Sequence, residues 1–362
     1  MKLCIILGTR PEIIKMSPII KYCESKKLDY FIIHTGQHYS FNMDKIFFDE
    51  LKLPQPKYNM EVKETTHGKQ TGSMMIKIEP ILMKEKPDMV LVEGDTNSVL
   101  AGALTANKLN IKVGHVEAGL RSYDLTMPEE LNRKLTDHIS DYLFAPTECA
   151  KKNLLKEGIS EKKIFVTGNT IVDALYQNIK IAEKKVNVLE RLKLKQRNYI
   201  VLTLHRQENV DKYNRIKNIL DGIKKVSEHY NTPVIWPIHP RTVKVLKEFN
   251  LTMPKLVKTI NPIDYLEFLQ LEEKASLIMT DSGGLQEESC ILKIPCVTLR
   301  DNTERPETLE VGSNTIVGVK PSSIFNGVKN MFRKKTDWKN PFGDGKSAEK
   351  IVKIIQSNLK EN

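Results

Sequence analysis

From end to end, the chain alternates short apolar runs with segments of helical period. The apolar positions in those runs are consecutive rather than alternate, as in Cys4-Ile-Ile-Leu7, Met89-Val-Leu-Val92 and Ile200-Val-Leu202. A strand of that kind has both faces covered, which is the condition of a parallel sheet sandwiched between helices. Strands are expected over 2–7, 30–34, 89–92, 112–116, 142–145 and 163–166, and again over 198–203, 233–237, 255–259, 276–280, 295–299 and 314–317. Helical patterns fill most gaps, among them 11–25, 70–85, 97–109, 213–229 and 321–334. The chain has 362 residues, which at about 150 per domain suggests two domains. The natural boundary is the charged stretch from Gly168-Asn169-Thr170 to Gln196-Arg197-Asn198. The expectation is an α/β protein of two Rossmann-like doubly wound domains, 1–170 and 171–345, facing a central cleft. Ligands of such sheets bind at the carboxyl ends of the strands.

Composition excludes several classes. Hydrophobic residues are 40% and charged residues 28%, as in an ordinary globular chain. No apolar run approaches the roughly 18 residues of a membrane span. The opening Met1–Leu7 is too short for a secretory core and reads as a buried strand, so a cytoplasmic protein is expected. Five scattered cysteines without a Cys-x-x-Cys pair read as buried reduced thiols. The net charge of +11 raises the possibility of a nucleic-acid partner. Most of the excess is lysine spread over helical stretches, so a solvated surface is the better reading, with a field that draws in anionic substrates.

Common signatures are missing. No Gly-x-Gly-x-x-Gly follows a strand. Gly343-Asp-Gly-Lys-Ser347 lacks the first glycine of a phosphate loop and reads as a turn and N-cap for a last helix at 347–359. Histidines are not clustered at metal spacing, so a structural or catalytic metal is not expected.

Instead, polar clusters stand directly after the expected strands. Gly8-Thr-Arg10-Pro-Glu-Ile-Ile-Lys15 puts Arg10 and Lys15 at a helix N-terminus, which favours anions; a salt-bridged surface turn is the plainer reading. Asp95, in Glu93-Gly-Asp-Thr-Asn-Ser98, stands where Thr96 or Asn97 can cap the next helix, and is itself as good a cap as a catalyst. Glu117 leaves the apolar run Ile111–Val116, and Glu129 and Glu130 follow in Met127-Pro-Glu-Glu-Leu-Asn-Arg133. Carboxyls emerging from a buried strand are unfavourable unless paired or used, and Arg121 and Arg133 are possible partners. His205 and Arg206 follow another strand, as does His239. Ser282-Gly283-Gly284 at a helix start offers bare N–H groups to a phosphate, and Glu288 lies farther along the same helix, placed to accept from a ribose diol. Arg300 and Arg305 lie in a charged loop that adds to a phosphate clamp. Together these describe a nucleoside-diphosphate site with acid–base chemistry at its far end.

The segments GTRPEIIK, EGDTNSV, GHVEAGLRS, PEE-x-NR, VTGNTIVDAL, HRQEN, TDSGGLQEE and TERPE, over residues 1 to about 357, resemble the non-hydrolysing UDP-N-acetylglucosamine 2-epimerases. That resemblance implies a glycosyltransferase-B-like architecture whose last helix, about 346–362, packs back on the first domain. It implies reversible conversion of UDP-GlcNAc to UDP-ManNAc through a 2-acetamidoglucal, without a cofactor, feeding surface polysaccharide synthesis. It places acid–base catalysis on Asp95, Glu117 and Glu129, with His205 near the diphosphate. Substrate contacts fall on Arg10, Lys15, Asp95, Glu117, His205, Phe268, Ser282, Gly283, Gly284, Glu288 and Arg305. A regulatory substrate site would involve Gln37, His38, Arg206 and His239, although Tyr39–Asp44 departs from the usual pattern there. The expected partners are the UDP-sugar and a second copy in a homodimer, with no nucleic acid and no membrane.

The C2 proton of such a sugar is not next to a carbonyl, so loss of the proton must accompany loss of UDP from C1. Inversion then calls for proton-transfer groups on two faces. Four alternatives remain open on sequence: a modified UDP-GlcNAc as substrate, a glycosyltransferase of the same architecture, a hydrolysing epimerase, and a non-enzymatic nucleic-acid binder.

Overall fold

The structure, a computed structural model, describes residues 1–37 and 41–359, and for residues 41–44 and 46 the backbone alone. The chain divides into two compact units: Met1–Ala174 with Phe342–Asn362, and Leu175–Pro341.

The first unit holds seven strands: β1 Lys2–Leu7, β2 Asp29–His34, β3 Tyr58–Asn59, β4 Met89–Glu93, β5 Lys112–Val116, β6 Tyr142–Ala145 and β7 Ile164–Val166. They form one parallel sheet in the order β3-β2-β1-β4-β5-β6-β7. Cys4, Ile6, Val90 and Val92 point to one face, against Met74, Ile78 and Leu82 of helix His67–Glu85 and Val99, Ala103 and Ala106 of helix Asn97–Lys108. Leu3, Ile5 and Leu7 are buried as well, which is why the run is apolar without alternation. The last helix, Ser347–Asn358, packs on helix Arg10–Ser25.

The second unit holds β8 Ile200–Thr203, β9 Val234–Pro237, β10 Val257–Ile260, β11 Leu277–Thr280, β12 Cys296–Thr298 and β13 Asn314–Ile316. Their parallel order is β10-β9-β8-β11-β12-β13. Alternate residues feed two cores: Ile200, Leu202, Trp236 and Met279 meet helix Tyr213–Tyr230, while Val201, Ile235 and Ile278 meet Leu271 and Val188. Burying each such aliphatic side chain contributes about 1.5–3 kcal/mol.

Both sheets share the doubly wound order 3-2-1-4-5-6, and each reverses beside its first strand, between β1 and β4 and between β8 and β11. The crevice beyond the carboxyl ends of those pairs is where such sheets take ligands.

Local details differ from the sequence reading. The strand β3 was not expected, since two edge residues carry no apolar run. Thr96 is the N-cap residue of helix Asn97–Lys108, but its hydroxyl makes no cap bond and donates to Glu12 instead, at 2.7 Å. Ser347 is inside the last helix rather than its N-cap, and the cap is supplied from a distance: the Asp173 carboxylate accepts from Ser347 N at 3.1 Å and Ala348 N at 3.0 Å. Four of the five cysteines, Cys4, Cys23, Cys290 and Cys296, are buried thiols. Among the described residues no helix is long and apolar enough to cross a membrane, and no group of three or more acidic, His or Cys side chains is placed to hold a metal.

Candidate active site

In the first unit, β1 ends at Gly8, and only glycine fits there: a Cβ would stand 2.0 Å from Thr35 Oγ1 and 2.2 Å from Ser98 Oγ. Pro11 in the first turn then starts the helix that carries Arg10 and Lys15. Arg10 lies over the Phe47 ring at 4.7 Å. Glu12 turns back into the switch point, accepting from Gly8 N at 2.6 Å, Thr9 Oγ1 at 3.0 Å and Thr96 Oγ1 at 2.7 Å. Burial pushes its carboxyl up to about 7, against the pull of those bonds.

Lys15 reaches the ends of β4 and β5. Its ammonium pairs with Glu117 and stands 3.2 Å from Glu93. Glu93 is buried, and its carboxyl is raised well above the usual range by burial first, with Lys15 opposing. Glu117 sits at φ +68°, a left-handed conformation that a non-glycine residue adopts at a penalty of about 1 kcal/mol or more. Asn169 donates to it at 3.1 Å. The left-handed turn at the strand end thus brings the carboxyl to Lys15 and Asn169.

Asp95 is half-buried and ion-paired with Arg133 at 2.5 Å. Arg133 also holds Glu130 at 2.8 Å. The two neighbouring glutamates divide their roles. Glu130 is buried and accepts from Ser122 N, Ser122 Oγ and Tyr123 N at 2.9–3.1 Å. Burial works against its charge, yet those bonds and Arg133 hold its carboxyl below the usual range. Glu129 is exposed and lines, with Asp95, a cavity of about 660 Å³. Arg121 does not pair with Glu117; it serves Asp137 at 2.7 Å and Glu157 at 2.6 Å. Asp137 in turn holds His115 at 2.7 Å, and the other ring nitrogen of His115 meets Gly94 O at 2.8 Å, bracing the turn before Asp95.

The same cavity is lined by Gln37, Lys63, His67 and Gln70. Gln37 accepts from Ser98 Oγ at 2.7 Å, and Asn97 bridges Gln70 at 2.8 Å and His67 at 3.1 Å. Sequence reasoning passed over Lys63, His67 and Gln70; the polar run Thr66-His-Gly-Lys-Gln70 at a helix start was the available signal. His38 lies outside the described residues.

In the second unit, Asp281 at the end of β11 organises the crevice. Fully buried, it accepts from His205 N at 3.2 Å, Arg206 N at 3.1 Å and Asn209 Nδ2 at 3.2 Å, and its Oδ1 stands 2.9 Å from His205 Nδ1. Burial opposes its charge, but His205 and the N–H bonds keep its carboxyl below the usual range. His205 is fixed at one nitrogen while its side chain remains 59% exposed.

Ser282 precedes helix Gly283–Ile291 and makes no side-chain cap bond. Neither Gly283 nor Gly284 has a positive φ, and added Cβ atoms there would come no nearer than 3.4 Å and 3.9 Å to the protein. The fold therefore does not demand glycine at these positions, whereas close approach of a ligand to backbone N–H groups does. Glu288 is half-buried on the same helix, with Oε1 3.9 Å from the place of a Gly284 Cβ. Arg305 is buried with Nε 2.7 Å from Glu287, and Arg300 is buried against Glu304 at 2.8 Å. Arg206 lies 3.6 Å from Glu304. His239 caps helix Pro240–Glu248 by accepting from Arg241 N at 3.2 Å and is exposed. Phe268 and Ile263 pack at the edge of the core formed by Tyr199, Val201 and Ile235.

Known proteins match this arrangement along the whole chain. A sequence model of the family described as UDP-N-acetylglucosamine 2-epimerase covers residues 21–356. The chain belongs to that family. A UDP-N-acetylglucosamine 2-epimerase of Methanocaldococcus jannaschii is 63% identical over 361 residues, 98% of this chain and 99% of that protein. A crystal structure of the M. jannaschii UDP-GlcNAc 2-epimerase in complex with UDP-GlcNAc and UDP superposes with a TM-score of 0.91 at 63% identity, covering 99% of this chain and all of that one. The UDP-2,3-diacetamido-2,3-dideoxy-D-glucuronate 2-epimerase of Pseudomonas aeruginosa is 40% identical, over 98% of this chain and 99% of its own. The two-domain parallel α/β architecture of this family member is therefore the glycosyltransferase-B-like one of the UDP-GlcNAc 2-epimerases.

Proposed function

We propose that the protein interconverts UDP-GlcNAc and UDP-ManNAc. The observation that carries this reading is the near-complete match to the M. jannaschii enzyme, whose structure holds UDP-GlcNAc and UDP. The second unit takes the nucleotide. The bare N–H groups at Ser282-Gly283-Gly284 receive phosphate, Glu288 the ribose diol, and His205, fixed by Asp281, donates to the diphosphate. Arg206 and Arg305 keep this loop cationic, and Phe268 stands near the base. The first unit supplies Arg10 for the phosphates and the acids for chemistry.

In the forward step one carboxylate removes the C2 proton, and the C1–O bond breaks with its electron pair leaving on the UDP β-phosphate. A C1–C2 double bond remains. In the return step a proton is delivered to the opposite face of C2, and UDP adds back at C1. We assign the two faces to Asp95, Glu117 and Glu129 as a set. The Lys15 ammonium pairs with Glu117, and the Arg133 guanidinium pairs with Asp95. A regulatory substrate molecule would lie at the Gln37 side of the first-unit cavity, which Lys63, His67 and Gln70 also line.

We further infer a homodimer, supported by exposed Leu131 and Leu135 on helix Pro128–Ile139 and Ile76 and Met83 on helix His67–Glu85, helices that flank Asn97–Lys108. The reduced thiols suit the cytoplasm, where the product would supply surface glycan synthesis.

A second reading rests on the P. aeruginosa relative: a diacetamido uronate sugar as substrate. Incubation of the pure protein with each UDP-sugar alone, followed by anion-exchange separation, tests both. UDP-ManNAc from UDP-GlcNAc supports the first reading. Turnover confined to the modified sugar supports the second, and release of free ManNAc or no turnover of either rejects both.

A further inference from the structure

A further pair of carboxyls lies in the second unit. Helix Tyr265–Glu273 carries Glu272, and helix Gly283–Ile291 carries Glu288. Glu272 is 0% exposed, and among the described residues neither of its oxygens receives an N–H or O–H bond. The side chain it meets is the carboxyl of Glu288. Two carboxyls make a hydrogen bond only when one of them carries a proton, and two charges so close cannot both be held in a buried site.

Burial decides where the proton resides. Glu272 is enclosed on all sides, while Glu288 is half-buried beside Gly284. The remaining neighbours do not supply a cation to Glu272. On its own helix is Tyr265, a buried phenol held neutral by burial and then by Glu288. On β12 is Cys296, whose thiol burial pushes up to about 12, with Glu272 adding to the shift. Glu272 itself is raised well above the usual carboxyl range by burial first and Glu288 second. The charge of the pair therefore belongs to the half-exposed member.

We propose that Glu272 is a positioning residue that stays protonated and donates a hydrogen bond to Glu288, locking one oriented carboxylate toward the ribose diol of the nucleotide. This rests on the assignment of Glu288 to the ribose. A carboxylate has about four lone-pair positions; one is spent on Glu272, and holding that one fixes the plane of the carboxylate for the two hydroxyls. The device acts on affinity and on recognition of the diol, not on proton transfer at C2.

The test has two parts, made on the full chain. Infrared difference spectra of wild type minus Glu272→Gln at pH 7, in H2O and D2O, should show the C=O stretch of a protonated carboxylic acid that shifts in D2O. Its absence overturns the shared proton. Calorimetric affinities for UDP and 2′,3′-dideoxy-UDP then test the positioning. Glu272→Leu should weaken UDP about tenfold, the loss of one charged hydrogen bond, and leave dideoxy-UDP nearly unaffected. KM for the UDP-sugar should rise more than kcat falls. Glu272→Gln, which keeps a donor, should restore most of the UDP affinity. If wild type binds both nucleotides alike, the ribose assignment of Glu288 fails. If wild type prefers UDP and Glu272→Leu keeps that preference in full, the ribose assignment survives and the role of Glu272 is overturned.

Discussion

Glu12 offers a quantitative test of the switch point in the first unit. Its carboxyl is fully buried, with a folded-state value of about 7 against 4.5 for the free side chain, burial being the main cause. A group raised on folding contributes stability that is complete below the unfolded value and is lost as pH rises through the folded one. Relative to a non-titrating side chain, the contribution from these two values is about 1.4 kcal/mol at pH 6 and near zero at pH 8. Glu12→Gln keeps an oxygen for Gly8 N, turns its NH2 toward the two threonine hydroxyl oxygens, which can accept, and removes the titration. Both tryptophans, Trp236 and Trp338, lie in the second unit, so their fluorescence is blind to this event. Hydrogen exchange read at the amides of Ile5 and Leu91, in neighbouring strands, is not. From pH 6 to pH 8 the wild type should lose about tenfold more protection there than Glu12→Gln, after correction for intrinsic rates, since 1.4 kcal/mol is a factor of ten. Parallel losses in the two proteins would refute the claim that Glu12 titrates near neutrality.

Other expectations follow from the same geometry. Asp95→Asn and Glu117→Gln should each lower kcat about 10²–10⁴-fold while calorimetry finds UDP affinity within about twofold of wild type, since the proposed nucleotide contacts fall on other residues. The neighbours Glu129 and Glu130 should separate cleanly. Glu129→Gln affects turnover with little change in melting temperature, whereas Glu130→Ala leaves Arg133 with one carboxylate fewer, strands the Ser122 and Tyr123 donors and should destabilise by about 1–3 kcal/mol in thermal denaturation. Gly284→Ala should leave the melting temperature within about 2 °C, because the added Cβ has room in the protein, yet weaken UDP binding at least about tenfold by blocking the backbone approach.

The architecture was largely readable because parallel strands buried on both faces leave uninterrupted apolar runs. β1, β4, β8 and β11, the four strands that flank the two switch points, are of this kind. The edge strand Tyr58–Asn59 has no such run and was invisible. Position along the chain also told where polar clusters emerge, which is why Asp95, Glu117, His205 and Ser282 were singled out, and each does follow a strand end. Partnerships could not be read that way. Thr96 faces both a helix start and Glu12, and only the fold decides that its hydroxyl goes to Glu12. Asp173 caps a helix 174 residues away. Lys63, His67 and Gln70 come from a loop and a helix start rather than a strand end, so the rule that found the others skipped them. Glu272, in the charged run Glu272-Glu-Lys274, follows no strand end and is fully enclosed, so that rule passes over it too.

The central claim is that carboxyls at the ends of β4 and β5 exchange the proton on C2 of a UDP-sugar. Proton NMR of UDP-GlcNAc with the pure protein in D2O, with no metal, nucleotide or acceptor added, tests it most directly. The account predicts UDP-ManNAc, with deuterium entering C2 of both sugars, and loss of both signals in Asp95→Asn and Glu117→Gln. Epimerisation that retains the C2 proton, or full exchange surviving in both variants, would contradict it.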